Sequence, residues 1–143
     1  EGTVCDLYGK SVLLMHGDTL CTDDHSYQLL RRILHNRVVQ WILRHLSLAR
    51  CSSLAARIRA GSKAHANRTA PMIMDVNAGA VAAAFADRRI DTLVHGHTHR
   101  PAIHSLDVDG RAVKRIVLGD WYTQGSVLEW TPEGYDLRAM PRD

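Results

Sequence analysis

The chain has 143 residues, of which 45% are hydrophobic, 23% charged and 6% aromatic; these are the proportions of one ordinary globular domain and exclude a collagenous or disordered chain. Eighteen Lys and Arg against 15 Asp and Glu give a net charge of +3, too mild by itself to argue for a nucleic acid or a membrane partner. The charge is unevenly spread, however: His25 to Ala70 holds nine basic residues and no Asp or Glu, leaving nine basic against all 15 acidic residues elsewhere.

Taken in chain order, Thr3 to Tyr8 and Ser11 to His16 read as short strands separated by Gly9-Lys10. The unbroken apolar run Val12 to Met15 suits a strand covered on both faces. A polar loop, Gly17 to Asp24, follows, and Asp23 or Asp24 can cap the next helix by accepting from its first free N–H groups. The spacing of Leu30, Ile33, Leu34, Val38, Trp41 and Ile42 predicts one amphipathic, basic helix from about Ser26 to His45. A second is expected over Leu48 to Ala60, ended by Gly61-Ser62.

Residues 62–70 are polar and read as irregular, and Pro71 restarts order. An alanine-rich helix is expected over Asp75 to Arg88, then a strand over Ile90 to Val94. The remainder reads as an antiparallel meander: Ile103 to Val108, a turn at Asp109-Gly110, Val113 to Leu118, Ser126 to Trp130, a turn at Pro132-Glu133-Gly134, and Tyr135 to Met140.

Three cysteines, Cys5, Cys21 and Cys51, form no CxxC pair, which argues against a disulfide framework or zinc ribbon and for a reducing compartment. No stretch approaches the roughly 18 apolar residues of a spanning helix. No leader pattern opens the chain, so a cytosolic or peripheral protein is expected. Glu1 leads almost at once into a strand, as in a chain whose N-terminus has been cut.

Two predicted strands end in histidine followed by glycine. One is Met15-His16-Gly17-Asp18; the other is His95-Gly96-His97-Thr98-His99. Imidazole is the commonest side-chain ligand for transition metals at neutral pH, and Gly96 would let the backbone bend without a Cβ clash. A lone loop histidine is ordinarily a hydrogen-bonded structural residue. Three of them, His16, His97 and His99, drawn from two strand ends make a metal site the stronger reading, with His95 supporting the loop.

Together with the intervening basic segment, Ile73 to Asn77 (IMDVN) and Val117 to Trp121 (VLGDW), the strings Met15 to Asp24 (MHGDTLCTDD) and His95 to Pro101 (HGHTHRP) resemble the UDP-2,3-diacylglucosamine diphosphatases. These belong to the calcineurin-like metallophosphoesterase superfamily and act in lipid A biosynthesis. The resemblance extends over essentially the whole chain. It implies an α/β fold, the C-terminal part of a calcineurin-like αββα sandwich with a helical cap insertion. The partial core would be residues 1–24 and 71–143, and the basic cap residues 25–70.

It further implies two Mn²⁺ ions, one held by His16 and His97 and the other by His99, with His97 beside the reacting phosphate. Asp24, Ser62 and His97 match positions that contact substrate, and Tyr27 is close enough in sequence to join them. Asn67, Arg68 and Thr69 have no clear counterpart. The implied reaction cleaves the pyrophosphate of UDP-2,3-diacylglucosamine to UMP and 2,3-diacylglucosamine 1-phosphate. The implied location is peripheral, on the cytoplasmic face of a bacterial inner membrane.

The superfamily's DxH, GD and GNxD ligand motifs do not occur upstream of His16; Gly17-Asp18 and Gly119-Asp120 occupy other places in the pattern. The chain therefore reads as a C-terminal portion that is inactive alone. Two alternatives stand beside this one: another metallophosphoesterase, or a non-catalytic remnant that binds membrane surfaces. A cationic segment interleaved with Leu, Ile and Trp suits anionic lipid headgroups. Without glycine-aromatic RNA motifs it does not suggest a nucleic acid. Trp41, Leu34, Val38 and Ile42 fit either an acyl-chain slot or plain core packing.

Overall fold

The computed structural model describes residues 2–66, 73–122 and 124–141. In chain order its elements are β1 (Thr3–Leu7), β2 (Lys10–Met15), a 3₁₀ turn (Asp18–Leu20), α1 (His25–Leu34), α2 (Arg37–His45), α3 (Leu48–Ala66), α4 (Ala78–Arg88), β3 (Thr92–His95), β4 (Ala102–Val108), β5 (Arg111–Val117), β6 (Gln124–Thr131) and β7 (Gly134–Pro141). They form two compact units: Glu1–Leu20 with Val76–Asp143, and Cys21–Asp75. This is a mixed α/β fold, compatible with the C-terminal part of an α/β metallophosphoesterase.

The first unit is built on a five-stranded sheet in the order β1-β2-β3-β5-β4. β1 and β2 are antiparallel, β2, β3 and β5 run parallel, and β4 returns antiparallel along β5. All four residues of β3 are buried, as expected of a central parallel strand covered on both faces. On one face, Val81 and Phe85 of α4 pack with Leu13, Leu93 and Val113. On the other, Val12, Val94 and Ile116 are covered by Leu128, Trp130, Tyr135 and Leu137 of the β6–β7 hairpin.

The expected meander is thus divided. β5 inserts beside β3, while β6 and β7 form a separate two-stranded sheet. Burial accounts for the placement of the first pair: Val113, Ile116 and Val117 are all buried and suit an interior strand, whereas β4 alternates exposed and half-buried residues as an edge strand does.

In the second unit, the single helix expected over residues 26–45 is two helices. The α1 cap, His35, donates its N–H to the carbonyls of Arg31 and Ile33. Asn36 then accepts from the N–H groups of Val38 and Val39 at 2.9 and 3.3 Å and starts α2. A short amide side chain satisfies a new helix start better than it tolerates a helix interior. The opposite happens at Gly61, which α3 passes through to Ala66. A single interior glycine costs only about 1 kcal/mol relative to alanine, so the expected stop at Gly61-Ser62 is absent and Ser62 is helical. The expectations for Asn67, Arg68, Thr69 and Pro71 lie outside the described residues.

The inserted unit leaves the sheet after Leu20, and the chain re-enters it at Val76. There Asn77 donates its N–H to the carbonyl of Leu20 at 2.8 Å, and its side chain accepts from Ala80 N to start α4. That cap shortens the expected helix, which begins at Ala78. No described helix is long and apolar enough to cross a membrane.

Phe85 is wholly buried between α4 and the sheet. Phe85→Ala is expected to destabilise the fold by about 3–5 kcal/mol, read as a lower urea midpoint at unchanged slope.

Candidate functional site

The sheet register places the candidate histidines. Met15 lies opposite His95, and His95 opposite Val117. One step beyond, Gly96 donates to the carbonyl of His16 at 3.0 Å and Leu118 donates to that of His95 at 2.8 Å. Residues 16–18, 96–99 and 118–120 therefore leave the parallel strands at the same, carboxyl end.

Gly17, rather than Gly96, is the glycine this crossing requires. Its φ is +104°, and a Cβ there would stand 2.8 Å from His95 Nδ1 and 3.2 Å from the Gly96 carbonyl oxygen. A Cβ on Gly96 would meet nothing closer than the His16 carbonyl oxygen at 3.7 Å. The sharp bends fall on the histidines themselves, with φ 66° at His97 and 53° at His99. The 2.8 Å bond from Thr98 N–H to the Gly96 carbonyl closes a γ-turn around His97, a conformation that is rare and strained for a residue with a side chain.

His95 holds that turn from below. It is buried, with Nδ1 2.9 Å from the Gly96 carbonyl and Nε2 3.3 Å from Arg115 Nη1. A guanidinium can only donate, so Nε2 accepts and Nδ1 carries the proton it gives to Gly96.

His16 Nδ1 lies 2.9 Å from Asp18 Oδ1, and Asp18 is buried at the start of the 3₁₀ turn. A carboxylate that takes the Nδ1 proton orients the ring and leaves Nε2 as the ligating atom. The His16 and His97 ring centroids are 5.0 Å apart with planes at 62°. With metal–nitrogen distances of roughly 2 Å, two imidazoles sharing one ion hold their centres about 5 Å apart. His99 Nδ1 lies 4.0 Å from Asp120 Oδ2, and its ring meets the edge of Tyr122 at 5.8 Å. Asp120 is itself fixed by accepting from Tyr122 N–H at 3.0 Å.

Asp18 and Asp120 were not singled out in the sequence. Their signal was present, however, as two Gly-Asp pairs that each follow a strand carrying apolar residues. The structure sets one carboxylate beside His16 and the other near His99.

The donor set fits a metal only in part. His16 and His97 can supply nitrogens, and Thr98 Oγ1 between the histidines is buried without a hydrogen-bond partner. Yet among the described residues no three His, Cys, Asp or Glu are gathered to hold an ion. Mn²⁺ favours oxygen ligands. Among the described residues the donors brought together are imidazoles, so Mn²⁺ would need oxygen ligands besides them.

The inserted unit carries the other candidates. Asp24 is buried and caps α1 by accepting from Tyr27 N–H at 2.9 Å. Tyr27 is half-buried on the first turn of α1, and Ser62 is exposed on α3. His65, read from sequence as one of several scattered histidines, places Nε2 3.1 and 3.3 Å from the two Asp24 oxygens. On α2, Val38, Trp41 and Ile42 are exposed, so they are not core. Trp41 packs against the His45 ring at 4.3 Å, and His45 Nδ1 donates to the Trp41 carbonyl at 2.7 Å.

Gly17→Ala should force a left-handed alanine against His95. A loss of about 1–3 kcal/mol is expected, measured by urea denaturation, with the largest amide shifts at His95 and Gly96.

No family model matches the chain. Among curated proteins, it is 49% identical over 138 residues to the UDP-2,3-diacylglucosamine hydrolase of Salmonella arizonae, covering 96% of the chain and 58% of that protein. The protein of the same name from Salmonella agona is 50% identical over the same shares. That from Pseudomonas paraeruginosa is 49% identical over 141 residues, 99% of the chain and 59% of the relative. The chain thus spans under two thirds of the length of these relatives, as a C-terminal portion would. At half identity over nearly its whole length, the chain is similar to a part of the proteins named UDP-2,3-diacylglucosamine hydrolase.

Proposed function

We propose that the protein containing these residues hydrolyses the pyrophosphate bond of UDP-2,3-diacylglucosamine, releasing UMP and 2,3-diacylglucosamine 1-phosphate in lipid A biosynthesis. The observation that carries this reading is the half identity, across 96% of the chain, to hydrolases named for that substrate. The convergence of His16 and His97 at one sheet end supports it.

In this reading His16, His97 and His99 are the nitrogen ligands of a two-manganese site, and the DxH, GD and GNxD motifs of the family supply the oxygens. Mn²⁺ bound there would contribute Lewis acidity toward phosphate oxygens and a more acidic water. The chain's own residues hold the geometry. Asp18 keeps His16 Nδ1 protonated and its Nε2 forward, the γ-turn presents His97 toward the reacting phosphate, and Asp120 steadies His99. Asp24, Tyr27 and Ser62 contact substrate from the inserted unit.

The same reading places the protein at the cytoplasmic face of a bacterial inner membrane. Its substrate carries acyl chains, and the inserted unit combines exposed Leu29, Ile33, Val38, Trp41 and Ile42 with arginines and no acid from His25 to Ala70. Apolar residues among cations suit insertion between anionic headgroups.

The full-length protein, given UDP-2,3-diacylglucosamine and Mn²⁺, should release UMP, and EDTA should abolish the reaction. Asp18→Asn should cost roughly 10- to 100-fold in activity or metal affinity. The 143-residue chain alone should be inactive because it lacks the oxygen ligands. Absence of manganese-dependent UMP release from the full-length protein would sink the proposal. Arg37→Glu with Arg44→Glu should weaken binding to phosphatidylglycerol-containing vesicles in sedimentation, by about 1 kcal/mol per charge removed near the surface; unchanged partitioning would refute the membrane contact.

A further inference from the structure

We infer that His65 is a positioning residue for the Asp24 carboxylate, holding it so that one oxygen remains open to a hydroxyl or amide N–H of the substrate's sugar. This rests on the proposed reading that Asp24 contacts substrate, and it adds a residue outside every motif that suggested that reading.

Asp24 is 7% exposed. A buried carboxylate is tolerated only where its oxygens are paired. The segment around it is rich in arginine, yet the side-chain partner bonded to it among the described residues is an imidazole. Tyr27 N–H occupies Oδ1 at 2.9 Å, and His65 Nε2 lies 3.1 Å from Oδ1 and 3.3 Å from Oδ2. An ionised carboxylate only accepts, so Nε2 donates, shared between the two oxygens. Among the described residues the 3.3 Å approach of His65 Nε2 is the one N–H contact to Oδ2, which keeps a lone pair for a further donor. An oxygen of that charge repels phosphate and accepts from a neutral donor, so its complement on a nucleotide sugar is a hydroxyl or an amide N–H.

The bond joins residues 41 apart in sequence and ties the start of α1 to the C-terminal part of α3. Ser62 stands three residues before His65 and so lies on the same face of α3. The pairing therefore brings the helix face that carries one candidate substrate residue to the carboxylate of another. The His65 side chain is 39% exposed against 9% for Asp24, so the imidazole sits nearer solvent and shields the pair.

The test uses the full-length protein and UDP-2,3-diacylglucosamine, with kcat and KM measured separately. His65→Ala should raise KM about tenfold, the loss of one charge-assisted hydrogen bond, with kcat held within about twofold. His65→Gln, which retains an N–H donor, should recover most of it. In an Asp24→Asn background, His65→Ala should add nothing. If Asp24→Asn raises KM and His65→Ala does not, the inference fails while Asp24 remains a substrate contact. If neither changes KM, both the inference and the role of Asp24 fall. A lower melting temperature for His65→Ala with wild-type KM marks a merely structural bond and also overturns it.

Ring ¹⁵N spectra of the full-length protein give a readout independent of activity. His65 should be protonated at Nε2, and Asp24→Asn should perturb its ring more than that of any other histidine. An unperturbed His65 ring would overturn the pairing.

Discussion

The hydrogen bond from Gly96 N–H to the carbonyl of His16, one residue past the end of β2–β3 pairing, is the constraint on which the candidate site depends. It carries the register of the buried parallel strands into the loops, so that two segments about 80 residues apart are held at one point. The close approach also explains why residue 17 is glycine, since any side chain there would occupy the space of His95. The loops are therefore positioned by the least deformable part of the fold, and the left-handed turns at His97 and His99 persist because the sheet over-determines them.

A recurring division of labour surrounds this point. Asp18 aligns His16, Asp120 lies near His99, and His95, itself held by Arg115, fixes the carbonyl that closes the turn around His97. His16 and the turn around His97 are thus each held by a neighbouring side chain, Asp18 and His95. Such orientation removes rotamer freedom before any ligand arrives, so less binding energy is lost to ordering the site.

What was legible in the sequence was whatever a local pattern dictates. The strand β2 and the turn at Asp109-Gly110 read correctly because strand and turn geometry act over a few residues; of the run Val12 to Met15, expected to be covered on both faces, Val12 and Leu13 are buried while Leu14 is exposed. The break at Asn36 was hidden because the apolar spacing continues in phase across it, and only the side-chain bonds to Val38 and Val39 show the new start. The division of the meander was hidden for another reason: whether consecutive strands pair depends on which faces they cover, which no local window contains. Likewise Gly96 was given a role that belongs to Gly17, because the clash that decides it is with a residue far along the chain. The His65–Asp24 bond was invisible for the same cause.

The base of the insertion has a consequence for how such a protein can change. Leu20 and Asn77, the last residue before the inserted unit and the second after it, are bonded to each other at 2.8 Å. The sheet therefore sees 55 intervening residues, Cys21–Asp75, as a loop whose ends already meet, and closing a longer or shorter loop between fixed ends alters the entropy only slowly. Selection can lengthen, shorten or rewrite the inserted helices while the strands that end at the histidines stay untouched. The sheet and the insertion are thus separately evolvable parts of one chain.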